Sequence, residues 1–181
     1  MPTPPRPSCD FFRQLYLQHA AGVRRFLRRL GIPLRAVEDV AHDVFVTALR
    51  AVDTYDPARP ARPWLYGIAW RVASDWRARA PHRRELMVSA EAPHPAPLAD
   101  ERLEDLQTQA LVRLILDALD ADKRAVFVLH EFEERPVPEI ARSLGIPLNT
   151  AYSRLRLARA RFAETLHAAR PAVTDHRPLT Q

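Results

Sequence analysis

The placement of proline decides what this chain can fold into. Pro93, Pro95 and Pro97 sit within Ser89-Ala-Glu-Ala-Pro-His-Pro-Ala-Pro-Leu-Ala-Asp100, a stretch that can neither propagate a helix nor bury much apolar surface. On either side apolar residues recur at helical spacing, and strand-like alternation is scarce. The chain is therefore expected to be all-α, with two small helical domains joined by a flexible linker. The boundaries fall at 10–85 for the first domain, 86–102 for an acidic Pro-rich linker and 103–169 for the second. Residues 1–9 and 170–181, both Pro-bearing, read as disordered tails.

In the first domain Phe11, Leu15, Phe26, Leu27 and Leu30 mark an amphipathic stretch that Gly31-Ile-Pro33 breaks. A second helix, about Leu34 to Val52, spaces Val37, Val40, Ala41, Val44, Phe45 and Ala48 for one buried face. A third begins near Trp64, turns Leu65, Ile68, Ala69, Val72 and Trp76 inward and ends at Pro81. In the second domain a helix covers roughly Leu103 to Ala118. Asp120 or Asp122 can cap the next, which carries Val126, Phe127 and Leu129. Pro136 and Pro138 suit the first turn of another helix, where a missing N–H costs little, and Gly145 ends it.

The segment Val137-Pro-Glu-Ile-Ala-Arg-Ser-Leu-Gly-Ile-Pro-Leu-Asn-Thr-Ala-Tyr-Ser-Arg-Leu-Arg-Leu-Ala-Arg159 has the form of a helix-turn-helix. Small Ala141 lets two helices approach, Gly145 supplies a left-handed residue, and a second helix begins near Leu148. At 100° per residue, Leu148, Ala151, Leu155, Ala158 and Phe162 share one face. Asn149, Thr150, Ser153, Arg156, Leu157 and Arg161 point the other way, with Arg154 on a flank. Packing on one side and donors with positive charge on the other is what a DNA-reading helix needs. An ordinary amphipathic hairpin with a solvated basic face has the same pattern.

Charge favours a polyanionic partner. Net charge is +5, and residues 1–85 carry 15 Arg against 8 acids, whereas 86–110 carry 1 Arg against 5. All basic residues but Lys123 are arginine, which a coding bias explains in part, although the clustering needs a separate cause. Aromatic Trp64, Tyr66 and Trp70 lie among Arg59, Arg62, Arg71, Arg77 and Arg79, a mixture suited to single-stranded DNA because unpaired bases stack while arginine holds phosphate. Trp64 and Trp76 suit a core equally well.

Other functions find little support. No apolar run approaches a membrane span, no signal peptide is visible, and the single Cys9 allows no disulfide within the chain, which together read as cytoplasmic. No phosphate loop, nucleophile–base set or zinc spacing is present, so neither an enzyme, a cofactor nor a metal is expected.

Taken together, these segments resemble the extracytoplasmic-function (ECF) sigma factors of bacterial RNA polymerase, within the sigma-70 superfamily. Glu38-Asp-Val-Ala-His-Asp-Val-Phe45 is similar to the family's helix that docks on the polymerase clamp. Arg62-Pro-Trp-Leu-Tyr-Gly-Ile-Ala69 is similar to its promoter-melting segment, and Leu119 to Phe162 to the domain that reads the −35 element. The resemblance implies a sigma factor that binds core RNA polymerase, recognises −35 and −10 elements and promotes melting. It implies Glu38, Asp39 and Asp43 as core-polymerase contacts, although without it they read as a solvated helix face. It implies Arg62, Tyr66, Trp70, Arg71, Asp75, Arg77 and Arg79 as −10 contacts. The −35 contacts would be Asn149, Thr150, Tyr152, Ser153, Arg154, Arg156 and Arg159. An anti-sigma partner is implied as well.

The chain also departs from the family. Arg71 stands where Asn is usual, and it can bond guanine on two atoms or hold phosphate but cannot accept a hydrogen bond. Tyr152 replaces a common basic residue, and Leu157 lies on the outward face. Asn149 can cap the recognition helix or read a base. A helix-turn-helix regulator that acts without being a polymerase subunit, and an interaction protein that merely docks its helices on a partner, are the competing readings.

Overall fold

A computed structural model describes residues 9–79 and 110–174; the linker expected at 86–102 lies outside them. Among the described residues there is no strand. Helices α1 (Cys9–Arg29), α2 (Leu34–Arg50) and α3 (Ala61–Ala78) pack pairwise into the first unit, with a 3₁₀ turn at Val52–Thr54 after α2. A helical stretch at 110–117, α4, precedes α5 (Ala121–Glu131), α6 (Val137–Leu144) and α7 (Leu148–Thr174), which pack together as the second.

The apolar periodicity is what drives each unit together. Val37, Val40, Ala41, Val44 and Ala48 are buried along α2, and Leu65, Ile68, Ala69 and Ala73 along α3. Phe45, Val72 and Trp76 are half-buried and pack against the core. Asp120 caps α5, its carboxylate accepting from Lys123 N at 2.9 Å.

Two boundaries and one burial differ from expectation. Helix α3 starts at Ala61 because Pro63 lies in its first turn, where the backbone N–H groups have no helical acceptor in any case. Helix α7 runs to Thr174, into the stretch expected to be a tail. Leu148, expected on the buried face, is 44% exposed and lines an open groove with Pro138, Ala141 and Arg142 of α6.

The two units do not stand apart. Helix α6 lies on α3, and the buried residues of both units form one continuous apolar cluster. The close approach rests on Gly67: a Cβ there would fall 2.3 Å from the Ser143 carbonyl oxygen.

Candidate nucleic-acid interface

Helices α6 and α7 meet at a turn built as the sequence requires. Gly145 takes φ 68°, ψ 35°, left-handed backbone that costs an L side chain about 1–2 kcal/mol. Its N–H bonds back to Ala141 O and Arg142 O, and Ile146 N donates to Ala141 O at 3.0 Å. The turn satisfies the C-terminal carbonyls of α6 and launches α7 at an angle. Ala151, Leu155 and Ala158 then bury against α5 and α6, while Phe162 stacks on Phe127 with centroids 5.0 Å apart.

The opposite face of α7 is open. Asn149, Tyr152, Ser153, Arg156, Leu157 and Arg159 are exposed and Thr150 half-exposed. Asn149 is the second residue of α7 rather than its cap, and neither it nor Arg156 has a hydrogen-bond or ion-pair partner among the described residues. Arg159 pairs with Glu131 at 2.7 Å. Arg154 pairs with Asp122 of α5 and is mostly buried, so it braces the fold rather than facing outward.

In the first unit the expected DNA-facing residues split. Arg71 in the middle of α3, Asp75 in its last turn and Arg79 at its C-terminal end are exposed. Arg71 Nε donates to Gly67 O at 3.2 Å. Trp70 is half-buried. Arg77 donates to Leu30 O at 3.0 Å and Ser74 Oγ at 3.2 Å, and burial together with the charge of Arg124 lowers its pKa. Tyr66 is at variance with a base-stacking role: it is 1% exposed and stacks on Phe26 with centroids 4.5 Å apart, leaving no open ring face. Its hydroxyl accepts from Arg62 Nε at 3.0 Å and lies 3.0 Å from Glu133, and burial raises its pKa.

Trp64, half-buried, donates its indole N–H to Thr54 Oγ1 at 3.1 Å. On α2, Asp39 and Asp43 are exposed with no partner among the described residues, whereas Glu38 pairs with Arg24 at 2.8 Å. The described residues contain no group of three or more His, Cys, Asp or Glu arranged to hold a metal ion, and no described helix is long and apolar enough to cross a membrane.

Glu133 was not anticipated. It is buried, with its carboxylate reaching Arg29, Arg62 and Tyr66 of the first unit. Its spacing held a signal, because it falls four residues after Leu129 and seven after Val126, on the apolar stripe of α5 continued into the turn. A carboxylate on such a stripe requires a partner.

Comparison with known proteins matches these two units one by one. Residues 15–83 match the model of Sigma-70 region 2, and residues 109–162 that of Sigma-70, region 4. The chain is 31% identical over 166 residues to the RNA polymerase sigma factor CnrH of Cupriavidus metallidurans, covering 87% of each. It is 30% identical over 147 residues to the ECF RNA polymerase sigma factor SigL of Mycobacterium tuberculosis, covering 81% of this chain and 83% of SigL. The solved structure of CnrH in complex with the cytosolic domain of CnrY matches with a TM-score of 0.64, over 89% of this chain and 90% of that one. A sigma factor RpoE, solved with the anti-sigma factor NepR from Bartonella quintana, shares the fold at TM-score 0.66 and 24% identity, over 86% and 96% of the two chains. With both regions matched in order and relatives at this identity covering most of its length, the chain belongs to the ECF group of the sigma-70 family of RNA polymerase sigma factors.

Proposed function

We propose that this sigma factor reads the −35 element with the open face of α7 and captures the −10 element along α3, while α2 docks on the polymerase clamp. The division of α7 carries this reading. Ala151, Leu155 and Ala158 are buried on one side, and Asn149, Tyr152, Ser153 and Arg156 are presented together on the other. Polar side chains of that kind can hydrogen-bond base edges in a major groove, and arginine can also hold phosphate.

On α3, Trp70, Arg71, Asp75 and Arg79 form the −10 surface, and Arg62 and Arg77 join it once released from their present partners. Captured bases stack on the aromatic ring and phosphates pair with guanidinium, which favours the melted strand without fuel. On α2, Asp39 and Asp43 lie four residues apart on one face, free to pair with basic residues of the clamp. The role is that of a binding factor rather than a catalyst, exercised in the cytoplasm with the polymerase. An anti-sigma factor is a further expected partner, since CnrH was solved with the cytosolic domain of CnrY and RpoE with the anti-sigma factor NepR.

The test is run-off transcription with purified core polymerase on the DNA upstream of the chain's own gene. The wild-type protein is expected to give a discrete transcript. Replacing Asp39 and Asp43 by alanine should abolish the transcript while leaving binding to a −35 duplex intact. A double variant that transcribes normally removes the acidic docking face from the reading.

A further inference from the structure

Helices α1 and α3 leave a cavity of about 330 Å³ between them, lined chiefly by Gln18, His19, Gly22, Arg25, Arg62 and Tyr66. Small-molecule sites span roughly 300–1,000 Å³, so the space suits a compact ligand. Its walls follow from helical spacing. Gln18, Gly22 and Arg25 recur at intervals of four and three along one face of α1, and Arg62 and Tyr66 lie four apart on α3. Gly22 keeps the space open, since a Cβ there would stand 3.2 Å from the Tyr66 hydroxyl.

These walls are rich in donors and short of acceptors. Arg25 is exposed, and neither it nor the side chains of Gln18 and His19 have a hydrogen-bond or ion-pair partner among the described residues. Arg62 gives Nε to the Tyr66 hydroxyl and Nη2 to Glu133, which leaves its Nη1 without an acceptor. Glu133 itself already accepts from Arg29, Arg62 and the Tyr66 hydroxyl. Positive charge is therefore crowded here. Burial and, after it, the Arg62 charge lower the pKa of His19. Burial lowers that of Arg29 as well, with the Arg25 charge adding to it against the pull of Glu133. An anion in the cavity would relieve this crowding.

We propose that the cavity is a binding site for a phosphoryl group, held by Arg25 from α1 and Nη1 of Arg62 from α3, with Gln18 and His19 as further donors. The donors converge from two helices that face each other. A carboxylate offers two coplanar oxygens, which a single guanidinium fork satisfies, whereas a tetrahedral dianion presents oxygens to both walls at once. The volume exceeds that of the group alone and leaves room for a small organic moiety attached to it, so a phosphorylated small molecule fits. A nucleic-acid backbone carries the same group and is the alternative source. The assignment does not depend on the promoter contacts given above, because Gln18, His19 and Arg25 belong to none of those surfaces.

The probe is inorganic phosphate added to the full chain at constant ionic strength set with chloride. Nuclear magnetic resonance follows the ring signals of His19, assigned through His19→Gln, and the Nε–H signal of Arg62. Both are expected to shift together and to saturate, with acetate binding about tenfold more weakly or worse. Arg25→Ala, folded by far-ultraviolet circular dichroism, should weaken phosphate about tenfold or more. Arg28→Ala removes the same charge from an exposed position of α1 that does not line the cavity, and should stay within about twofold of wild type. Shifts that never saturate, acetate binding as tightly as phosphate, or equal losses in the two variants overturn the site. A single-stranded oligodeoxynucleotide without terminal phosphates then identifies the source. If it displaces phosphate, and Arg25→Ala weakens it too, the backbone supplies the group; if it binds without displacing phosphate, a free molecule does. An oligonucleotide that fails to bind while phosphate saturates leaves the site standing and removes the strand-capturing role of α3 instead.

Discussion

Asp120 sits where α5 begins and the first backbone N–H groups have no helical acceptor. Its carboxylate takes the Lys123 N–H at 2.9 Å and also contacts the Lys123 ammonium. Partial burial works against the charged form, yet these bonds prevail and hold the carboxyl below its ordinary value. The native pKa is thus depressed relative to the unfolded chain. The stabilisation is present above the unfolded carboxyl range and lost as pH falls through the native value. Asp120→Ala should cost about 1 kcal/mol in urea unfolding at neutral pH. Asp120→Asn should retain most of the cap and show a weaker loss of stability in acid. This residue was legible in the sequence because a cap acts on a neighbour three positions away. Tyr66 was not, because its hydroxyl meets a carboxylate 67 residues on, and nothing within its own helix announces that partner.

At the scale of the element, α7 divides its arginines between structure and recognition. Arg154 pairs with Asp122 and is mostly buried, whereas Arg156 is exposed with no described partner. Arg156→Ala should weaken binding to a −35 duplex, lower the salt slope by about one if the contact is to phosphate, and change stability by less than about 0.5 kcal/mol. Arg154→Ala should instead cost about 1 kcal/mol or more of stability. Fluorescence anisotropy over a salt series and urea unfolding separate the two effects. Helical periodicity placed Ala151, Leu155 and Ala158 inward from the sequence alone, because each repeats on a stripe that a neighbouring helix covers. It misplaced Leu148, which lines an open groove beside Pro138 and Arg142 instead of lying under a covering helix. It put Arg154 only on a flank, since its partner belongs to α5.

For the molecule as a whole, one continuous apolar cluster across both units predicts coupled unfolding. All three tryptophans, Trp64, Trp70 and Trp76, lie on α3, so tryptophan fluorescence follows the first unit while circular dichroism follows both. The two thermal transitions should coincide in the wild type and separate in Gly67→Ala. Helix content, the two-unit division and the helix-turn-helix were readable from local spacing. Their mutual packing was not, because the Pro-rich stretch at 93–97 announces a spacer and Gly67 looks like any weak point in a helix. That absent side chain has an evolutionary consequence. A contact made against bare backbone has no smaller residue to move to, so any replacement at position 67 can only loosen it. Single substitutions there lead in one direction, toward a looser seam between the units, and a tighter one would have to come from elsewhere along it.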